Sequence, residues 1–328
     1  MSESESILTV RDLSVEFDVE GGRIRAVDRV SFDLRAGEVL GVVGESGCGK
    51  SVTALSLVRL LPSPPGHVVG GSVTFEGRDL LRIPIAELRA IRGKRISMIF
   101  QDPMSALSPL HRIGDQLVEA QQLHGEIPTR RAWEVGTEWL AKVGIPDPAE
   151  RMNAWPHELS GGMRQRVMIA MALMLKPDVV IADEPTTALD VTIQAQIFEL
   201  MRVLKDAKTA AMLITHDMSA IWEMCDRALV MYAGQIVESA PVRELFQNPR
   251  HPYTAGLLRS MPRGPRTGRR LETIPGQVPS PRDYPKGCRF ADRCPHVWSL
   301  CREHEPELFA VDEEHRAACH LVPEGRKP

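Results

Sequence analysis

Four groups of residues have types and spacings that could do chemistry. Gly44-Glu45-Ser46-Gly47-Cys48-Gly49-Lys50-Ser51 follows the pattern G-x-x-x-x-G-K-[ST]. Its glycines let backbone N–H groups curl around a phosphate, Lys50 would neutralise the phosphate oxygens, and Ser51 would ligate Mg2+. Cys48 fits the loop as a small side chain, not as a nucleophile. A second group is Asp183-Glu184, which ends the apolar run Val179–Ala182. A carboxylate at a strand end suits Mg2+, and its neighbour can take a proton from an attacking water. Third, Ser160-Gly161-Gly162 opens another helical run and makes a second anion-binding helix terminus. One chain with one phosphate loop and two such cradles implies that two chains share each nucleotide. The blander readings are a chance glycine-rich turn and two acids solvated at a strand exit. The complete loop pattern between a strand and a helix argues against both.

The fourth group is the series Cys288-x5-Cys294-x6-Cys301-x17-Cys319, four of the six cysteines in the chain. Four thiolates suit Zn2+ or an iron–sulfur cluster, although the tight C-x2-C knuckle of zinc fingers is missing. His296, His304, His315 and His320 leave mixed ligation open, as is a small core of unligated cysteines.

These residues must be positioned by the elements around them. Ile7–Phe17 reads as extended, and Val30, Phe32 and Leu34 alternate at period two. Glu38–Val43 is a short strand entering the phosphate loop, and Ser51–Leu61 has helical spacing until Pro62-Ser63-Pro64-Pro65-Gly66 breaks it. Strands are predicted at Ser72–Phe75, Arg95–Phe100, Val179–Ala182 and Ala211–Ile214, and helices at Met163–Leu175 and Thr192–Lys205. Ile113–Met152 repeats apolar positions at helical spacing, as a helical insertion would. Strands alternating with helices predict an α/β fold. Past Gln247 the chain turns proline-rich, with a basic cluster at Arg263, Arg266, Arg269 and Arg270, and the cysteines follow. This end reads as a compact appendage held by local constraints.

The 328 residues are 43% hydrophobic and 25% charged, ordinary for a globular chain able to bury a core. A net charge of −3 argues against a globally basic nucleic-acid binder. Met1–Ser6 is polar and acidic, without the basic and apolar regions of a secretory signal. The longest apolar run, Val167–Leu175, falls far short of the roughly 20 residues that span a bilayer. A cytoplasmic chain that does not itself cross a membrane is the expectation, and disulfides are not.

In order along the chain, the phosphate loop, Gln101, Leu159-Ser160-Gly161-Gly162-Met163, Val179–Glu184, Ala188-Leu189-Asp190 and His216 resemble the ATP-binding cassette (ABC) ATPases over about residues 7 to 245. The resemblance implies a P-loop NTPase with a RecA-like core, an antiparallel β-subdomain and a helical subdomain (about 102–160). The nucleotide-binding domain would cover 1–247, and a small four-cysteine domain 248–328. ATP and Mg2+ would be held by Phe17, Gly44, Ser46, Gly47, Cys48, Gly49, Lys50, Ser51, Gln101 and Asp183. Glu184 matches the catalytic base, His216 the γ-phosphate switch, and Gln101 the link from the Mg2+ site to the helical subdomain. Ser160, Gly161 and Gly162 would face ATP held by the other subunit, with Asp190 at the dimer interface. Phe17 would stack on adenine, although a strand phenylalanine can equally be core. Met163 departs from the glutamine of many cassettes and leaves the Ser-Gly-Gly unchanged.

Phe100–Pro109, Glu158–Leu173, Asn248–Thr254 and the stretch from Gly287-Cys288-Arg289-Phe290 to Cys319 are similar to the D-type ATPase subunits of dipeptide and oligopeptide importers. That likeness implies a second, homologous ATPase subunit in a heterodimer, two membrane permeases and an extracytoplasmic peptide-binding protein. The chain would sit on the cytoplasmic face of the inner membrane, with no nucleic-acid partner. ATP-driven dimer closure would reorient the permease. Related ATPases carry a [4Fe–4S] cluster at matching cysteines, which favours that option over zinc for Cys288, Cys294, Cys301 and Cys319. The alternatives are import of nickel or another small solute, and a soluble ABC ATPase without a transport role.

Overall fold

The computed structural model describes residues 6–185 (backbone alone at 104 and 105), 198, 209–261 and 272–328. Asp190 with Ala188-Leu189, the helix expected at Thr192–Lys205, and the cluster Arg263, Arg266, Arg269 and Arg270 lie outside them. The chain divides into two compact units. One comprises residues 35–38 and 82–212, the other 6–34, 39–81 and 213–328.

In chain order, the second unit begins with β1 (Ser6–Val19), β2 (Gly22–Arg35), β3 (Val39–Val43), α1 (Lys50–Leu57), β4 (Gly66–Phe75) and β5 (Arg78–Asp79). A four-stranded sheet runs β2-β1-β4-β5, with β1–β4 and β4–β5 antiparallel. The strand β3 is buried at every position, as an apolar strand covered on both faces must be. The helix α1 stops at Leu57, short of the predicted Leu61. Arg59 there adopts a positive φ of 53°, and the Leu60 N–H turns back to the Leu55 carbonyl.

The first unit carries α2 (Ile85–Ile91), β6 (Ile96–Ile99), α3 (Pro103–Ala106), α4 (Ile113–Gln122), α5 (Thr129–Lys142), α6 (Pro148–Arg151), α7 (Gly161–Leu173) and β7 (Val179–Asp183). The helical stretch expected at Ile113–Met152 is thus α4 to α6, broken around Gly125–Pro128 and again at Gly144, where φ is +74°. The strands β6 and β7 run parallel, pairing Ile96 with Val179 and Ile99 with Ala182. Parallel neighbours end on the same side, so the residues just past Ile99 and Asp183 can meet. The strand β8 (Ala210–Thr215) begins in the first unit and ends in the second.

The second unit resumes with α8 (Met218–Met224), β9 (Arg227–Tyr232), β10 (Gln235–Pro241), α9 (Val242–Gln247), α10 (Pro252–Arg259), α11 (Ser299–Glu303), β11 (Phe309–Ala310) and β12 (Arg316–Ala317). In this unit β3 pairs in parallel with β9, β9 antiparallel with β10, and β12 antiparallel with both β10 and β11. The expectation of a compact appendage held by local constraints more than by a large core is corrected here. One buried cluster joins Val43, Ala228, Val230, Tyr232 and Val237 to Tyr253, Leu258 and Phe290. The C-terminal residues therefore share the apolar core of β3, β9 and β10. Among the described residues, no helix is long and apolar enough to cross a membrane.

Candidate active site

The phosphate loop lies between β3 and α1, and close packing dictates its glycines. A Cβ on Gly44 would run into the Met231 carbonyl of β9 and come within 2.8 Å of the Cys48 sulfur. Gly47 and Gly49 have φ of +80° and +104°, and a Cβ on Gly49 would meet the Ala26 carbonyl at 2.7 Å. Gly49 is the left-handed cap of α1, which aims the first N–H groups of the helix into the loop. The buried Lys50 donates from Nζ to the carbonyls of Gly44 (2.7 Å) and Glu45 (3.1 Å), so its ammonium is held inside the turn. Cys48 is fully buried, and desolvation raises its thiol pKa, which keeps it a neutral packing group. Ser46 and Gly47 are exposed at the loop tip, and Ser51 is half-buried on the first turn of α1. A buried ammonium beside the first N–H groups of a helix suits the phosphate oxygens of a nucleoside triphosphate. Phe17 is half-buried near the end of β1, opposite Gly66 of β4.

Two residues outside the loop hold it. The Glu45 N–H donates to the Tyr253 hydroxyl (2.8 Å), and the Glu45 carboxylate accepts both Nη atoms of Arg293 at 2.6 and 2.9 Å. The pair pushes the Arg293 pKa further up, first through its hydrogen bond to Glu45. Sequence reasoning singled out neither contact, because the partners lie 208 and 248 residues away. The one available signal was a carboxylate inside an anion-binding loop, which calls for a counter-charge.

In the first unit, the parallel exit of β6 and β7 brings Gln101 to Glu184, and Gln101 Nε2 donates to Glu184 Oε2 at 3.0 Å. Glu184 adopts a positive φ of 46°, a sharp turn off the strand, and Gln165 of α7 anchors that turn by donating to the Pro185 carbonyl at 2.8 Å. Asp183 is buried at the end of β7. The Ser160 hydroxyl caps α7 by accepting the Met163 N–H at 3.3 Å, with Ser160 and Gly161 exposed and Gly162 half-buried. A carboxylate of Glu158 accepts the Trp155 N–H at 2.7 Å, which sets the approach of the chain to this cap. In the second unit, the exposed His216 follows β8 directly, and Asp217 caps α8 by accepting the Ser219 N–H at 2.7 Å.

The four C-terminal cysteines are free thiols. Burial pushes Cys288 up to about 11 and Cys319 up to about 12, and Cys319 also feels the charges of Cys288, Cys294 and Cys301. They therefore gather in one neighbourhood. Even so, among the described residues no group of three or more His, Cys, Asp or Glu side chains is placed to hold a metal ion. The expected metal centre at Cys288, Cys294, Cys301 and Cys319 thus has no formed ligand sphere among the described residues.

Comparison with known proteins agrees with this geometry. The ABC transporter family matches residues 27–187, and the oligopeptide/dipeptide transporter C-terminal region matches residues 237–301. A probable peptide ABC transporter ATP-binding protein of Sinorhizobium fredii is 54% identical over 96% of this chain and 95% of its own. The oligopeptide transport ATP-binding protein of Escherichia coli is 48% identical over 93% and 90%. The dipeptide transport ATP-binding protein of Bacillus subtilis is 47% identical over 97% and 95%. Among solved structures, the ATP-binding cassette MJ0796 superposes with a TM-score of 0.65 at 23% identity, covering 72% of this chain and 99% of that one, which fixes the fold. With its phosphate loop, its acidic strand end and relatives alike along nearly their whole length, the chain belongs to the ABC transporter ATP-binding proteins that carry the oligopeptide/dipeptide transporter C-terminal region.

Proposed function

We propose that this chain binds and hydrolyses ATP to drive the import of dipeptides or oligopeptides through membrane permeases. The observation that carries this reading is likeness to peptide-transport ATP-binding proteins over 96% of the chain, with the C-terminal match included. Within it, residues 1–247 form the nucleotide-binding domain, with the helical subdomain at about 102–160, and 248–328 the transporter-specific domain. Gly44, Ser46, Gly47, Cys48 and Gly49 wrap the phosphates, Lys50 neutralises them, and Phe17 stacks on adenine. Ser51, Gln101 and Asp183 would hold Mg2+, which supplies charge neutralisation at the phosphate oxygens when bound. Glu184 accepts the proton of the attacking water, with Gln101 orienting its carboxylate, and His216 contacts the γ-phosphate. Ser160, Gly161 and Gly162 serve the ATP of a second, homologous subunit, with Asp190 at that interface. Two permeases and an extracytoplasmic peptide-binding protein complete the assembly, on the cytoplasmic face of the membrane. ATP favours the closed dimer by its higher affinity for that state, and hydrolysis releases it.

Reconstitution with the co-purifying permeases in vesicles tests this directly. Peptide should stimulate ATP turnover, and Glu184→Gln should bind ATP without turnover. Stimulation by Ni2+ and not by peptide would move the cargo, and nucleic-acid stimulation without permeases would overturn the transport role.

A second reading, confined to the tail, rests on the cysteine spacing and the family resemblance and not on a formed ligand sphere. Cys288, Cys294, Cys301 and Cys319 would hold a [4Fe–4S] cluster, or zinc, as a structural staple when loaded. Anaerobic purification with iron and sulfide quantified per chain decides it: zinc without iron removes the cluster, and neither removes both.

A further inference from the structure

The phosphate loop must bind a polyanion, yet Glu45 at its second position is a carboxylate. Arg293 answers that charge. Its two Nη atoms grip both oxygens of Glu45 at 2.6 and 2.9 Å, a bidentate fork that also fixes direction. The guanidinium is itself held, with Nε donating to the Pro275 carbonyl at 2.8 Å and its face near the rings of Tyr232 and Phe290. The Arg293 side chain is 5% exposed and that of Glu45 32%, so solvent screens the pair only partly. The Glu45 backbone is tied in turn to the Tyr253 hydroxyl. Side chain and main chain of one loop residue are thus both held by residues beyond position 250.

We propose that Arg293 is a positioning residue of the nucleotide site. It cancels the Glu45 charge beside the bound triphosphate and fixes the loop in the shape that receives it. This rests on reading the loop as the ATP site. It makes the C-terminal region a working part of that site, and Arg293, next to Cys294, ties the cysteine neighbourhood to the phosphate loop.

The test is steady-state ATP hydrolysis by the full chain assembled with its partners, between low and physiological salt. Wild type is compared with Arg293→Gln, Arg293→Lys and the double variant Arg293→Gln/Glu45→Gln. Arg293→Gln leaves an unpaired carboxylate beside the phosphates, and KM for MgATP should rise about tenfold, with a smaller change in kcat. The deficit should shrink as salt rises. Arg293→Lys, which restores the charge but not the fork, should recover only part of it, and the double variant should return to within about threefold of wild type, because the offending charge is gone. A purely structural role would lower kcat and unfolding temperature along with affinity, so a raised KM at nearly unchanged kcat and unfolding temperature marks the positioning role. A KM within twofold of wild type for Arg293→Gln overturns the proposal, as does a deficit indifferent to salt and unrepaired by Glu45→Gln. Should Arg293→Gln fail to fold, the Lys and double variants carry the same comparison. Lys50→Ala runs in parallel: unchanged ATP affinity there would show that the loop is not the ATP site, and the proposal falls with that reading.

Discussion

His251 offers a prediction whose size follows from its surroundings. It is 1% exposed and packs against Phe290, with ring centroids 5.6 Å apart. Its Nδ1 accepts the Tyr253 N–H at 3.0 Å, so the ring caps α10 as a neutral acceptor. The Glu238 carboxylate nearby is committed to the N–H groups of Arg250 and His251 and to the His315 ring. Burial alone therefore dominates and holds the His251 pKa down to about 3. The unfolded chain binds a proton near pH 6.5 that the folded chain refuses. Stability from this residue is complete above pH 6.5 and falls as the pH drops from there toward 3. At pH 5 the fall spans 1.5 pH units, and at about 1.4 kcal/mol per unit it reaches about 2 kcal/mol. Asparagine keeps the cap without a titrating ring. Urea unfolding of wild type and His251→Asn at pH 7 and pH 5 isolates the effect, because every other group titrates alike in both. Wild type should lose about 2 kcal/mol more than the variant between the two pH values. Parallel losses, within about 0.5 kcal/mol, would refute the reasoning. So would a histidine NMR titration showing the ring protonated above pH 5.

Two further outcomes follow from the loop and from the second helix terminus. Gly44→Ala forces a methyl against the Met231 carbonyl and the Cys48 sulfur, neither of which can swing away. Unfolding free energy should fall by about 1–3 kcal/mol and ATP affinity should drop sharply, read by denaturation and by nucleotide titration. Ser160→Ala removes a cap whose hydrogen bond is 3.3 Å and exposed, so stability should change by less than about 1 kcal/mol while assembled-complex turnover falls more than tenfold. Equal, small effects on both would place the hydroxyl in helix capping alone.

The phosphate loop was legible because its chemistry is local. Gly44, Gly49 and Lys50 must stand at fixed offsets between a strand and a helix, and the structure supplies a packing reason for each glycine. Glu184 and Gln101 were legible as types and not as a pair. Their contact depends on β6 lying parallel to β7, a pairing of segments 83 residues apart that no local pattern announces. The hairpin of β9 and β10 escaped prediction for a different reason. Its turn residues, Ala233 and Gly234, both have positive φ, a geometry usually signalled by Asn-Gly or Asp-Gly. Ala233 hides that signal.

The C-terminal region was misread as an appendage because proline content and cysteine spacing describe a segment and not what it packs against. Tyr253 packs tilted and Phe290 edge-on against Tyr232 of β9, with centroids 4.7 and 5.2 Å apart. Tyr232 directly follows Met231, whose carbonyl presses on Gly44. The aromatic trio thus backs the strand that backs the loop, while Tyr253 and Arg293 hold Glu45 from the side. A side chain that packs in the core through its ring and reaches the loop through its hydroxyl has two reasons to be tyrosine. The same holds for Arg293, whose guanidinium lies by two aromatic rings while its fork takes a carboxylate, a combination lysine cannot reproduce. The geometry of the Gly44–Ser51 loop is therefore set from both ends of the sequence, by the packing around its glycines and by the C-terminal contacts to Glu45.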